Sequence, residues 1–338
     1  MKNSRVLIAA ILLGTALFGA WLFARSRNEM TSSVPALAPS GDKEHVAKIC
    51  VLQYVSHPLL DAVYKGFREE LDREHYPLSS VEYENANGDA TTAALLADQA
   101  CKHRYGVVFA LATPMAQSVK SACSSIQPIL FGAITDPVTA GLVDSLTAPG
   151  ANVTGTSDQW PYDLQMQLTA HLWGNNASVG VPFNPAEANT QFAMDQVRRI
   201  AKRIGLTLIE VPINSVNEAA QAIDALAGKV QVIYVPADNT AVAAAPSIIS
   251  TADRLKIPVL AGDPGTYRAG AAVGLGVDYA SLGVLNARQA RKILDGTPPS
   301  DLPVEVSSRA ELYIDEQRAA KYNISAASVR EWYSTVDH

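Results

Sequence analysis

The sequence predicts an α/β protein of two doubly wound, Rossmann-like lobes, and three observations carry that prediction. From Val46 onward, short apolar runs alternate with longer stretches of helical periodicity, the pattern of β-α-β units around a mostly parallel sheet. The rhythm restarts after residues 155–165 (GTSDQWPYDLQ), so the chain holds two similar halves rather than one long sheet. Short polar residues gather where the predicted strands stop, which is where open α/β sheets hold their ligands.

The first half opens with a strand at 48–55 (KICVLQYV), followed by an amphipathic helix at 59–74 (LLDAVYKGFREELDRE). A second strand at 79–87 (SSVEYENAN), a helix at 91–103 (TTAALLADQACKH) and a third strand at 105–113 (YGVVFALAT) come next. The helix at 114–125 (PMAQSVKSACSS) begins on Pro114, whose missing N–H is harmless in a first turn. A fourth strand at 127–135 (QPILFGAIT) ends at Asp136-Pro137, which stops the strand and sets a turn. The second half repeats the scheme with strands at 177–184, 206–213, 230–237 and 257–263. Its helices are expected at 188–204, at 218–228, and running through Ala243 to Leu255.

The chain has 338 residues, of which 48% are hydrophobic and 18% charged, enough apolar material for two sizeable cores. A net charge of -6 argues against a general nucleic-acid binder, which needs a basic face to neutralise phosphates.

The amino terminus is of another kind. Lys2 and Arg5 precede an apolar run at 6–23 that Arg25 and Arg27 close, the signature of an export signal or a membrane anchor. At roughly 18 residues the run is just long enough to span a bilayer. No small-x-small site follows directly, so residues 1–27 read as an uncleaved signal anchor, with a cleaved signal peptide as the alternative. The polar stretch 28–45 reads as a tether, placing the body in the periplasm or another extracytoplasmic space. Three cysteines there allow at most one internal bridge; Cys101 and Cys123 fall on successive helices, while Cys50 sits in an apolar run.

Polar strand ends supply the candidate site. They are Gln53, Tyr54, Ser56 and His57 after the first strand, Asn85 and Asn87 after the second, Thr113 after the third, and Thr135 with Asp136 after the fourth. The second half offers Asn184 and Glu187, then Asp238, Asn239 and Thr240, then Asp263. Two lobes whose strand ends face each other would enclose one polar-lined cleft.

The strings VLQYVSHPLLDAVYKGFREEL, YENANGD, LATPMAQ, ITDPVTAGLV, PGANVTGTSD, NPAEANT, VPADNTAV and AGDPGTYRAGAAVGLGVDYASLG together resemble the ABC-transporter substrate-binding proteins of the tryptophan/tyrosine (hydrophobic amino acid) type. The resemblance runs in order from about Val46 to the carboxyl-terminal region. It implies the type I periplasmic-binding-protein fold, with three crossovers near 156–159, 275–279 and 305–308. The lobes would then be 46–157 with 278–305, and 158–277 with 306–338. It further implies no catalysis, no cofactor and no metal, a small amino-acid-like ligand, an ABC permease as partner, and a monomer. Within such a cleft, Thr113 at a helix amino terminus would meet the ligand carboxylate, and Asp238 or Asp263 its ammonium. Tyr54, Trp160, Phe183 and Tyr267 are candidates to meet an aromatic or branched side chain. The segment PGTYRAG after Asp263 departs from the family's pattern.

Each residue also has a plainer use. Thr113 and Asp238-Asn239 are equally suited to capping helices, and Asp136 to its turn. A membrane-anchored ligand sensor of the same fold is the alternative function. An exported α/β hydrolase ranks below both, since no G-x-S-x-G elbow or histidine pair is present.

Overall fold

In the computed structural model, which describes residues 47–123, 127–307 and 310–336, the unbroken apolar runs become the central strands of two sheets. β1 (Ile49–Gln53), β3 (Val107–Leu111), β4 (Ile129–Ile134) and β5 (Val153–Ser157) are buried along their whole length, as parallel strands covered on both faces must be. With β2 (Val81–Asn85) and β11 (Glu305–Val306) they form an all-parallel sheet in the order β11-β5-β4-β3-β1-β2. The second sheet joins β6 (Ser178–Phe183), β7 (Thr207–Pro212), β8 (Val232–Val235), β9 (Val259–Ala261), β10 (Val273–Gly276) and β12 (Glu311–Ile314) in the order β12-β10-β9-β8-β6-β7. Only β12 runs antiparallel to its neighbour.

The chain passes between the lobes three times. It leaves the first sheet at Ser157 and enters the second lobe with α4 (Tyr162–Trp173), where Gln165 donates to the carbonyls of Gly262 (3.0 Å) and Leu275 (2.7 Å) and accepts from Tyr234 Oη (2.6 Å). It returns after β10 into α10 (Tyr279–Leu294), which packs along α1 (Pro58–Arg73) of the first lobe. That packing is close because it uses glycines: a Cβ on Gly66 would strike the Ala280 carbonyl, and one on Gly283 the Val63 carbonyl. The third passage runs from β11 to β12.

α2 (Ala90–Lys102) and α3 (Thr113–Cys123) lie side by side, and a Cys101–Cys123 disulfide with a Cα separation of 5.3 Å staples their ends. Cys50 is buried and free, and burial pushes its thiol up to about 12. In the second lobe, α5 (Ala188–Ile204) runs as its amphipathic pattern predicts, followed by α6 (Ala219–Asp224). The expected helix through Ala243 splits into α7 (Asn239–Ala243) and α8 (Ala245–Leu255), because Pro246 has no N–H to continue the preceding turn. The segment after Asp263 folds as a short helix, α9 (Pro264–Ala269), opened by proline and capped by Asp263. Helices α11 (Glu316–Lys321) and α12 (Ala326–Thr335) close the chain. The expected anchor at 1–27 and tether at 28–45 lie outside the described residues. Among the described residues, no helix is long and apolar enough to cross a membrane.

Candidate functional site

A cavity opens between the lobes at the carboxyl ends of both sheets. From the first lobe it receives His57 after β1, Leu59 and Leu60 from the first turn of α1, Thr113 at the head of α3, and Ala133 and Thr135 at the end of β4. The second lobe contributes Asn189 from α5, Ala237, Asp238 and Asn239 after β8, and Val242 from α7. Asp158 and Trp160 reach it from the first crossover, and Tyr279 from the second.

Unusual backbone geometry accompanies the cavity. Ala112 (φ 76°) and Ala133 (φ 55°), at neighbouring strand ends, both hold the left-handed conformation that Cβ-bearing residues avoid. Such strain persists where the surrounding structure imposes it, and here it lies at the rim of the cavity.

His57 is held at both ring nitrogens: Nδ1 accepts from Leu60 N (3.4 Å), capping α1, and Nε2 lies 3.3 Å from Asn239 Oδ1 across the cleft. Burial drives its pKa down to about 4, with the Asn239 contact opposing the shift. Asp158 follows β5 and is buried; Tyr279 Oη (2.5 Å) and Trp160 Nε1 (3.3 Å) both donate to its Oδ2. Burial raises this carboxyl to about 6 against those hydrogen bonds. Asp238 is raised as well, first by burial and then by the neighbouring Glu187 charge.

Several carboxylates are already satisfied. Asp238 Oδ1 accepts from Ala241 N (2.7 Å), and its Oδ2 accepts from Thr190 Oγ1 (2.9 Å) and from Asn184 N. Glu187 accepts from both the backbone and the side chain of Asn239 and of Thr240. By contrast, Thr113 Oγ1, Asp158 Oδ1 and Asn189 Oδ1 are buried with no partner, and all three belong to residues lining this one cavity. A buried polar atom without a partner is expensive, so three at one place mark a surface made to meet something else.

The structure thus brings together His57, Thr113, Thr135, Asp238 and Asn239 of the residues expected from sequence, with Trp160 of the aromatic candidates. The others stand apart from the cavity lining. Gln53 donates to Asp61 Oδ1 (2.7 Å), Tyr54 to the Gly88 carbonyl (3.0 Å), and Asn184 to Thr240 Oγ1 (2.9 Å). Asn87 is exposed in a turn with φ 55°, Asp136 accepts from Thr139 N (2.8 Å) in its own turn, and Asp263 caps α9 through Thr266 N (2.7 Å). Phe183 lies under Arg198, and Tyr267 stacks on Tyr313. Asp158, Asn189 and Tyr279 were not singled out from the sequence. The polar strand end TSD was the available signal for Asp158; the other two sit inside helical patterns that look like any helix start. Among the described residues, no group of three or more His, Cys, Asp or Glu is arranged to hold a metal ion.

Two α/β lobes, three passages between them and a polar cavity at their facing strand ends define a bilobal solute-binding protein. The family model of ABC transporter substrate binding proteins matches residues 48–329, and the chain belongs to that family. Such proteins work outside the cytoplasm and take a small solute to a transporter. A tyrosine-binding protein of Clostridioides difficile is 34% identical over 278 residues, 81% of this chain and 80% of that protein. The crystal structure of a Streptococcus pneumoniae ABC domain in complex with L-Trp is 33% identical with a TM-score of 0.79, covering 84% of this chain and 98% of that one. The ligand-free, open structure of a Clostridium difficile substrate binding protein with adhesive properties is 34% identical, covers 83% of this chain and 96% of its own, and scores 0.62. A solute binding protein from Bacillus halodurans with bound myo-inositol, 14% identical with a TM-score of 0.60, shares the fold.

Proposed function

We propose that this protein is the extracytoplasmic receptor of an ABC importer, capturing an amino acid with an aromatic or branched apolar side chain by closure of its two lobes. The observation that carries this reading is the set of unpartnered buried atoms on Thr113, Asp158 and Asn189, drawn from the first lobe, the hinge and the second lobe around one cavity. A zwitterion answers such a set. Its carboxylate suits the Thr113 hydroxyl and the positive end of α3, and its ammonium suits carboxylate and amide oxygens. Leu59, Leu60, Val242 and Trp160 supply apolar surface for a side chain.

The relatives support the ligand class, one being named for tyrosine and another solved with L-Trp. Closure is supported by the greater likeness to the L-Trp complex than to the open, ligand-free structure, at nearly equal identity. Capture requires contacts that only the closed state completes, and a ligand held by both lobes favours that state by its differential affinity. No hydrolytic step is assigned to the cleft, and the chain works as a monomer held at the inner membrane by its amino-terminal segment.

The test is a thermal-shift and calorimetric screen of the full-length protein against the twenty amino acids and a panel of sugars and polyols. Aromatic or branched amino acids should raise the melting temperature, because they bind the native state alone. A shift with sugars only, or with none of the amino acids, would overturn the reading.

A further inference from the structure

The carboxylates around the cleft differ in what remains free on them. Asp238 has both oxygens engaged by its own lobe, and Glu187 accepts from four groups of Asn239 and Thr240. Asp263 keeps Oδ2 unpartnered, yet it does not line the cavity. Asp158 alone combines a cavity-lining position, 4% exposure and a carboxylate oxygen with no partner.

Its other oxygen is held with care. Tyr279 Oη donates to Asp158 Oδ2 at 2.5 Å and Trp160 Nε1 at 3.3 Å, while Trp160 Nε1 also lies 2.7 Å from Tyr279 Oη. Asp158 and Trp160 belong to the first crossover and Tyr279 to the second, 121 residues away from Asp158 in sequence. The carboxylate therefore sits at the meeting point of two hinge strands. The Trp160 ring is itself wedged against the second lobe, since a Cβ on Gly262 would collide with its six-membered edge.

We propose that Asp158 is the ammonium anchor of the cleft, its free Oδ1 receiving the charged amine of the solute while Trp160 and Tyr279 act as positioning residues that hold Oδ2. This rests on the reading of the cleft as an amino-acid site and deepens it: solutes carrying a primary ammonium are selected over isosteric carboxylic acids. A charge received at this point is received by both crossovers at once, so ligand recognition and lobe closure are coupled at the hinge rather than on one lobe.

The anchor works only when ionised. Burial holds the ligand-free carboxyl near about 6, so below that value a growing share is protonated and cannot pair with an ammonium. The groups acting on it are Tyr279 and Trp160, its own backbone amide and the Thr135 hydroxyl at the end of β4, all of which favour the ionised form, with Tyr162 on α4 beside it. Asp136 and Asp263 stand one step further out, acting on Tyr162 and on Tyr279. His57 and Asp238 face the same cavity from the two lobes. His57, driven down to about 4, is uncharged in this window. Amino-acid affinity should accordingly fall by about tenfold per pH unit below the Asp158 value.

The test is calorimetry on the full-length protein with L-tryptophan and L-tyrosine, beside their des-amino analogues 3-indolepropionate and 3-(4-hydroxyphenyl)propionate. Wild type should prefer each amino acid over its analogue by about a hundredfold, the usual scale for a buried charge pair. Asp158→Asn should abolish most of that preference and leave the analogues as they were. Tyr279→Phe, which removes a hydrogen bond favouring the ionised form, should move the acid limb of the affinity profile to higher pH. If the amino acids bind and folded Asp158→Asn holds them within about threefold of wild type, or if wild type binds the analogues equally well, the anchor is wrong and the receptor reading survives. If wild type binds no amino acid at all, both fall together.

Discussion

His57 and Asn239 form a hydrogen bond across the cleft, the imidazole Nε2 lying 3.3 Å from the amide Oδ1, 182 residues away in sequence. Because Nδ1 accepts from Leu60 N, the ring is neutral with its proton on Nε2, and it donates to the second lobe. The packing of the two lobes around this ring therefore favours an uncharged His57. Its pKa is lowered from 6.5 to about 4 by burial, so an opened or unfolded state binds the proton more readily. The stability gained by burying a neutral ring whose Nδ1 caps α1 is complete above about pH 6.5, declines as the pH falls, and is lost near pH 4, with the Asn239 contact opposing that loss. Small-angle scattering of the ligand-free protein should show the radius of gyration rising over that interval. Asn239→Ala should expand the molecule at neutral pH and weaken ligand binding by about fivefold, one net hydrogen bond. An unchanged radius in that variant would remove the latch.

Thr113 separates a structural role from a binding one. Its hydroxyl is buried without a partner, although it stands at the first residue of α3 where a cap would be useful. Thr113→Val keeps the shape and removes the unsatisfied oxygen. Chemical denaturation should find the variant as stable as wild type or more stable by about 1 kcal/mol, while calorimetry finds ligand affinity lower by about tenfold. Loss of stability together with unchanged affinity would make Thr113 a helix residue and nothing more.

These residues also show how far the sequence could be read. The buried strands and the amphipathic α5 were legible because hydrophobic period is a local property, and the polar strand ends pointed to the right end of each sheet. What distinguishes Asp238 from Asp158 is not local. Asp238 is satisfied by Thr190 and Asn184, 48 and 54 residues earlier, whereas Asp158 acquires its partner Tyr279 only after the chain has crossed between the lobes twice. Capping chemistry made Asp238 and Asp263 conspicuous, and that same capping engages one of their oxygens. A carboxylate left half free by the fold has no sequence signature, since the free half is defined by what long-range packing fails to bring near it.

The Cys101–Cys123 bridge closes a loop between the ends of α2 and α3, with a sequence separation of 22 residues. On the chain-entropy account, a loop of that length stabilises the folded state by about 3 kcal/mol. Reduction, or Cys123→Ser, should lower the denaturation midpoint by a corresponding amount and leave solute affinity intact, because neither cysteine lines the cavity. A reduced protein as stable as the oxidised one would show that packing of α2 on α3 suffices.

The glycines at the crossing of α1 and α10 make the most demanding prediction, because α10 is entered directly from the second crossover at Tyr279. A methyl group on Gly283 would be driven into the Val63 carbonyl and the Phe67 amide, both backbone atoms that cannot swing aside. The helix axes must separate to admit it, and overpacking of this kind destabilises by about 1–3 kcal/mol. Displacement of α10 also carries Tyr279 away from Asp158, so Gly283→Ala should lose affinity as well as stability. Asp295→Ala, just past the far end of the same helix and about four turns from Tyr279, serves as the control. Its side chain is exposed in a surface ion pair with Arg291, which contributes about 0–1 kcal/mol. If Gly283→Ala lowered the melting temperature and left affinity untouched, the α1–α10 contact would hold the lobe together without setting the position of the hinge.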